Sequence, residues 1–177
     1  MANRFLIVVD MQNDFIDGAL GTPEAQAIVP AVMERIAQAR STGNALIATL
    51  DTHQPDYMAT SEGKKLPVPH CIAGTEGWKI RPEIMALLDG TLLLEKPTFG
   101  SVRLPSIVRE MADDAQHAQI ELIGLCTDIC VVSNALLLKA HFPEAAISVR
   151  SACCAGVTPD KHLAALETMR SCQIDVL

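Results

Sequence analysis

Phe5-Leu6-Ile7-Val8-Val9 is an unbroken apolar run closed by Asp10. A half-exposed strand would alternate apolar and polar residues, because successive side chains point to opposite faces. A run with no polar face, three of whose five residues are β-branched, predicts a strand covered on both sides, as in the centre of a parallel sheet. The rest of the chain is organised around this reading. Ile28, Val29, Val32, Met33 and Ile36 recur at helical spacing, with Pro30 near the start and Gly43 beyond the end. Residues 45–50 predict a second strand, and 51–82, rich in Pro and Gly, a long loop of the functional kind. Further strands are expected at 91–94, 119–124, 146–150 and 174–177. Helices are expected around Ile107, Val108 and Met111, over 128–141, and after Thr158-Pro159-Asp160, where Thr caps and Pro takes the first position. Alternation of strands and helices predicts a three-layer, Rossmann-like α/β domain over 1–177, with a six-stranded parallel sheet and helices on both faces.

The bulk properties narrow the partners. The chain has 177 residues, 49% of them hydrophobic and only 3% aromatic, so its core is aliphatic. Net charge is −7, from 14 basic and 21 acidic side chains, and no basic cluster occurs. That argues against nucleic acid and for a small-molecule partner. No apolar run approaches the roughly 20 residues of a membrane span. The opening Met1-Ala2-Asn3-Arg4 and the short run after it do not form a signal peptide, so a cytoplasmic location is expected. The six cysteines then read as reduced thiols.

In a parallel sheet, ligands bind beyond the carboxyl ends of the strands. Four predicted strands deliver polar residues there: Asp10, then Asp51 and His53, then Glu95 and Lys96, then 126–130. Cys130 falls between a strand and the first turn of a helix, where backbone amides and the helix dipole lower a thiol pKa. A random cysteine is more often a structural thiol; its position favours a nucleophile here. Asp10 alone reads equally as a cap on the next loop, and Lys96 alone as a solvated lysine. Together the three residues form a base, a cation and a nucleophile. Asp51, His53, Glu62 and His70 offer two imidazoles and two carboxylates, a set suited to Zn²⁺, Fe²⁺ or Mn²⁺. By spacing alone they serve equally as hydrogen-bonding groups of a polar loop.

At this level of detail the chain resembles a family. Val8-Val9-Asp10-Met11-Gln12-Asn13-Asp14-Phe15, Asp51-Thr52-His53, Pro69-His70-Cys71-Ile72-Ala73-Gly74-Thr75-Glu76-Gly77, Lys96 and Gly124-Leu125-Cys126-Thr127-Asp128-Ile129-Cys130-Val131 are similar to motifs of the nicotinamidase branch of the isochorismatase-like hydrolases. The resemblance implies a catalytic triad of Asp10, Lys96 and Cys130. It also implies a non-proline cis peptide before Cys126 and an oxyanion hole formed by the Cys126 and Cys130 amides. In the metal loop, Tyr57 stands where one nicotinamidase pattern has a second histidine, and Glu62 matches the spacing of another. The implied ligands are thus Asp51, His53, Glu62 and His70, holding a divalent ion, zinc first and iron or manganese next. Leu66-Pro67 replaces the aromatic residue that often precedes the Pro-x-His-Cys segment, leaving Phe15 as the ring contact.

The activity so implied is hydrolysis of a small nicotinamide-like carboxamide to acid and ammonia through a thioester. The competing readings are a relative acting on another small amide or ureido group, and a silent relative that binds metal or a partner. Vinyl-ether cleavage of isochorismate fits less well, because it needs no thiol nucleophile. Self-association into a homo-oligomer is compatible with the sequence.

Overall fold

The computed structural model describes residues 2–177. Six strands, β1 (Arg4–Val9), β2 (Ala45–Asp51), β3 (Leu92–Lys96), β4 (Gln119–Leu125), β5 (Ala146–Ala155) and β6 (Asp175–Val176), pair in parallel in the order β3-β2-β1-β4-β5-β6. The first strand is central, and both its faces are covered. Phe5, Ile7 and Val9 pack into one apolar layer with Leu104, Val108 and Leu138. Leu6 and Val8 pack into the other with Val32, Ile36 and Ile84. The Leu104–Met111, Val132–His141 and Pro159–Ser171 helices supply the first layer, and the Val29–Ser41 and Pro82–Met85 helices the second. The sixth strand is shorter than expected: Asp175 and Val176 pair with Ser148 and Val149, and Leu177 adds backbone hydrogen bonds to Val149 O at 2.9 Å and from Ser151 N–H at 2.8 Å.

The strand order fixes the location of the site. The chain steps outward from β1 through β2 to β3, then returns to the other side of β1 as β4. Connections from β1 and β4 therefore leave in opposite directions and open a crevice between their carboxyl ends. Asp10 follows β1 and Cys126 follows β4 at that crevice. One register further out, Asp51 and Lys96 are paired neighbours at the ends of β2 and β3.

Several boundaries differ from the sequence expectation for physical reasons. The third strand continues through Lys96, whose charge is neutralised within the sheet edge (below). The fifth continues past Arg150 to Ala155: Arg150 binds Glu121 on β4 at 2.7 Å, and a register shift after Leu122 lets Gly124 and Leu125 pair with Cys154 and Ala155. Polar residues interrupted the apolar pattern, but not the backbone ladder. The 51–82 loop is not featureless. It contains short helical turns at Tyr57–Ala59 and Ser61–Lys65 and a parallel bridge between His53 and Ile72. Gln12 holds its two ends: its side-chain amide donates to the carbonyls of Asp51 and Trp78 at 2.8 Å, and its Oε1 accepts from Asp51 N–H at 2.8 Å. Three short helices, Asn13–Ile16, Pro23–Ala27 and Pro82–Met85, were not anticipated, being too brief to show a period. None of the helices among the described residues is long and apolar enough to cross a membrane.

Gly124 marks the closest approach of β4 to β1. Its φ is +116°, and a Cβ there would lie 2.1 Å from the carbonyl oxygen of Val9. Gly124→Ala therefore combines a disfavoured backbone angle with a steric collision at the foot of the site. We expect a loss of at least about 3 kcal/mol in urea-induced unfolding, or failure to fold. A variant of unchanged stability would show that β1 and β4 separate more readily than this packing implies.

Candidate functional site

Three of the expected residues meet beneath the crevice. Lys96 Nζ lies 2.7 Å from Asp10 Oδ2, 3.4 Å from Cys130 Sγ and 3.5 Å from Asp51 Oδ1. Asp10 is fully buried and Lys96 only 1% exposed. Asp10 has a φ of +48°, a left-handed conformation in which the chain turns sharply after β1. Thr49 donates its hydroxyl to Asp10 Oδ1 at 2.6 Å, whereas Oδ2 has no well-aimed hydrogen bond despite its proximity to the ammonium. Oδ2 is thus held by charge and remains free to take a proton.

The electrostatics define a resting state. Burial raises the Asp10 carboxyl above its ordinary value, with Lys96 opposing the shift. Burial works against the charge on Lys96, but Asp10, Cys130 and Asp51 outweigh it, and the ammonium stays protonated. Burial also pushes the Cys130 thiol well up, with Asp10 adding to the shift and Lys96 opposing it. This corrects the expectation of a thiol acidified by its helix terminus. Desolvation beside a carboxylate exceeds the dipole effect, so the thiol waits protonated next to a base and a cation. Cys126 also borders the pocket, and its thiol is pushed up to about 12 by burial, with Asp128 adding to it. It lacks the direct Lys96 contact.

The expected 128–141 helix begins differently. Thr127–Val131 forms a π-turn, with Val131 N–H donating to Cys126 O at 3.1 Å, before the Val132–His141 helix. Such turns widen the helix locally and recur at functional sites. The Leu125–Cys126 peptide is cis. The Cys126 N–H donates to no acceptor among the described residues. Asn134, which the sequence reading passed over, is fully buried one turn along. It donates to Cys130 O at 2.8 Å and to Phe99 O at 3.3 Å, and accepts from Ser101 N–H at 2.9 Å. It ties the Cys130 turn to the loop after Lys96. A lone amide inside the apolar 131–138 run was the available signal.

The second cluster also assembles. Asp51, His53 and His70 bring ligand atoms within 4.8 Å of one another. Asp51 Oδ2 is 2.8 Å from His53 Nε2 and 3.6 Å from His70 Nε2. Glu62 approaches the same cluster, its Oε1 3.8 Å from each imidazole nitrogen. His53 Nε2 is buried 2.8 Å from Asp51 Oδ2 without a well-aimed hydrogen bond, a geometry that suits a nitrogen serving as a ligand. His70 Nδ1 is 2.8 Å from Val68 O, which fixes the tautomer and leaves Nε2 a lone pair. Asp51, His53 and His70 therefore fit a divalent metal, with Glu62 beside both imidazoles. Tyr57 does not join them: its hydroxyl donates to Leu66 O at 2.9 Å, and its ring packs against both imidazoles.

Above Cys130 opens a pocket of about 370 Å³, with Glu62 and His70 on one wall. Phe15, the expected ring contact, lines it at a centroid distance of 5.6 Å from His70. Phe99 and Leu66 complete the apolar wall, so Phe99 supplies the aromatic surface missing at Leu66-Pro67. Phe99 follows Lys96 by three residues in a polar loop, where no periodicity could place it. Trp78 is elsewhere, donating its indole N–H to Thr52 Oγ1 at 2.9 Å.

Comparison with known proteins agrees with this geometry. The isochorismatase domain profile matches residues 4–177. The nicotinamidase/pyrazinamidase of Mycobacterium tuberculosis is 27% identical over 195 residues, covering 98% of this chain and 98% of that protein. Among solved structures, the pyrazinamidase of Pyrococcus horikoshii in complex with zinc superposes with a TM-score of 0.80 at 25% identity, over 99% of this chain and 98% of that one. N-carbamoylsarcosine amidase from Thermoplasma acidophilum gives 0.79 at 30% identity, over 99% and 95%. With the fold and the nearly full-length profile in agreement, the chain belongs to the isochorismatase family.

Proposed function

We propose that residues 1–177 act as one hydrolase domain that cleaves the C–N bond of a small, flat, nicotinamide-like carboxamide, with Cys130 as nucleophile. The observation that carries the reading is the contact of Cys130 Sγ with a buried, Asp10-paired lysine at the floor of an apolar pocket. A nucleotide or a membrane has no counterpart in this site, and a cytoplasmic location suits its reduced thiols.

The chemistry follows from the resting state. As Sγ attacks the carboxamide carbon, Asp10 Oδ2 accepts the thiol proton, and the nearby ammonium of Lys96 stabilises the developing thiolate. The carbonyl oxygen becomes an oxyanion facing the Cys126 and Cys130 amides, the oxyanion hole. Asp10 then returns the proton to the departing nitrogen, releasing ammonia and leaving a thioester on Cys130. A water attacking the thioester gives its proton to Asp10, and collapse of that intermediate releases the acid and restores the thiol. Asp51, His53, Glu62 and His70 would hold a divalent ion, with zinc favoured by the two imidazoles and the zinc-bound relative. When bound, that ion would supply Lewis-acid character at the pocket wall, where it would orient a ring nitrogen or a water.

A second reading concerns the substrate. The 30% identity to N-carbamoylsarcosine amidase and the presence of Lys65 on the pocket lining favour a ureido compound carrying a carboxylate. Phe15, Phe99 and Leu66 favour the aromatic carboxamide, because a charged substrate gains nothing from them.

Ammonia release from a panel of aromatic carboxamides and carbamoyl amino acids separates the two readings; turnover of neither overturns the amidase assignment. On an accepted substrate, Cys130→Ala should abolish turnover. Asp10→Asn and Lys96→Met should each lower kcat by about 10²–10⁴-fold. Near-wild-type turnover by Asp10→Asn would exclude it as the base.

Purified protein should bind about one equivalent of divalent metal by elemental analysis. Glu62→Ala should lower that occupancy and raise KM while leaving the domain folded, since the aliphatic core does not depend on the metal. Full activity of the metal-free protein would remove the cluster from substrate orientation.

A further inference from the structure

The turn that carries Cys130 is fastened from behind as well as from within. Thr127, fully buried between Cys126 and the nucleophile, places its Oγ1 2.8 Å from His162 Nδ1. His162 stands in the first turn of the Pro159–Ser171 helix, with its Nε2 3.4 Å from Ser151 Oγ on β5. Beside it, Asp128 Oδ1 accepts from Val157 N–H at 3.0 Å. The approach is close: a Cβ on Gly156 would lie 2.8 Å from His162 N and 2.9 Å from Asp128 Oδ1. Neither Thr127 nor His162 lines the pocket.

We propose that His162 is a positioning residue for hydrolysis, acting through Thr127 to set the orientation of the Cys126 and Cys130 amides and of Cys130 Sγ. The inference rests on Cys130 being the nucleophile. A neutral imidazole has one acceptor and one donor nitrogen, and both have partners here. Nδ1 is paired with the Thr127 hydroxyl and Nε2 faces Ser151 Oγ, and either tautomer serves both contacts because each hydroxyl can donate or accept. Burial holds the ring below its ordinary pKa, with Asp128 opposing, which keeps this pattern at neutral pH. Thr127 follows Cys126 directly and opens the π-turn that ends beyond Cys130. Rotation about Thr127 therefore moves both amides and shifts Sγ relative to Lys96. A buried hydroxyl without its partner would seek another acceptor and rotate the turn with it.

The test compares wild type with His162→Phe, His162→Asn, Thr127→Val and the double variant Thr127→Val/His162→Phe on an accepted carboxamide. Because the chemistry is displaced while the pocket wall is untouched, His162→Phe and Thr127→Val should each lower kcat about tenfold or more, with little change in KM. Asparagine presents an acceptor near the Nδ1 position, so His162→Asn should recover most of the rate. The double variant should be no slower than the slower single, since both remove one interaction. Alkylation of Cys130 by iodoacetamide, followed by peptide mapping, reads the same geometry without any substrate. It should slow several-fold in His162→Phe and recover in His162→Asn, because a displaced sulfur loses Lys96. Wild-type kcat and alkylation rate in His162→Phe would overturn the proposal. So would losses shared equally by His162→Asn and accompanied only by a lower melting temperature. Absence of amide turnover in the wild type would sink the amidase reading instead, and the alkylation rates would still decide the role of His162.

Discussion

A buried ammonium is the constraint on which this structure depends. Lys96 has no side-chain exposure, and an isolated charge in such a place costs several kcal/mol. It remains charged because Asp10, Asp51 and Cys130 surround it within 3.5 Å, and these residues come from the ends of three other elements. The requirement acts on the fold as a whole. Only a sheet that switches direction beside β1 brings the ends of β1 and β4 to the same crevice as β2 and β3. The catalytic arrangement and the neutralisation of Lys96 are thus one set of contacts, and a fault in either is a fault in both.

The same contacts leave a charge imbalance on the metal side. Asp10, Asp51 and Glu62 bring three carboxyl groups to a region whose one fixed cation is Lys96. Burial raises Glu62, and Asp51 adds to that shift while the imidazoles oppose it. Asp51 stays ionised although burial opposes it, through the His53 imidazole 2.8 Å away and the charge on Lys96. A divalent ion among these ligands would balance the excess and satisfy His53 Nε2. The support around it is built for rigidity. Gln12 fixes both ends of the loop, Tyr57 fills the space behind the imidazoles, and Asp14 accepts from Cys71 N–H at 2.7 Å next to His70.

Legibility in the sequence followed physical range. The central strand was readable because burial on both faces demands an apolar run, and the strand-end residues because a polar group after such a run needs a reason to be there. The Thr158 cap was readable for a similar local reason; its Oγ1 accepts from Lys161 N–H at 3.2 Å. Long-range compensation was not readable. Arg150 looked like the end of β5 because its partner Glu121 lies on another strand. Phe99 and Asn134 gain their roles only when the loop after β3 folds over the nucleophile's turn. The pKa of Cys130 was misjudged for the same reason: the helix terminus is local, whereas the desolvation that outweighs it arises from the whole crevice.

Asp51 sets a limit on how far the two halves of the site can be treated separately. Its Oδ1 faces Lys96 at 3.5 Å, while its Oδ2 faces the two imidazoles at 2.8 and 3.6 Å. The same carboxylate thus faces both the imidazole cluster and the ammonium that Asp10 also neutralises. Removing Asp51 would therefore strip a ligand and also unbalance the ammonium, and its effect on turnover could not be assigned to either. Glu62 is different, because it touches the imidazoles and not the lysine. His53 and His70 likewise meet Lys96 only through Asp51. The carboxylate shared by the two clusters is thus the physical link between the imidazole cluster and the Lys96–Cys130 contact, and under the proposed function Glu62 is the residue whose loss touches the first without the second.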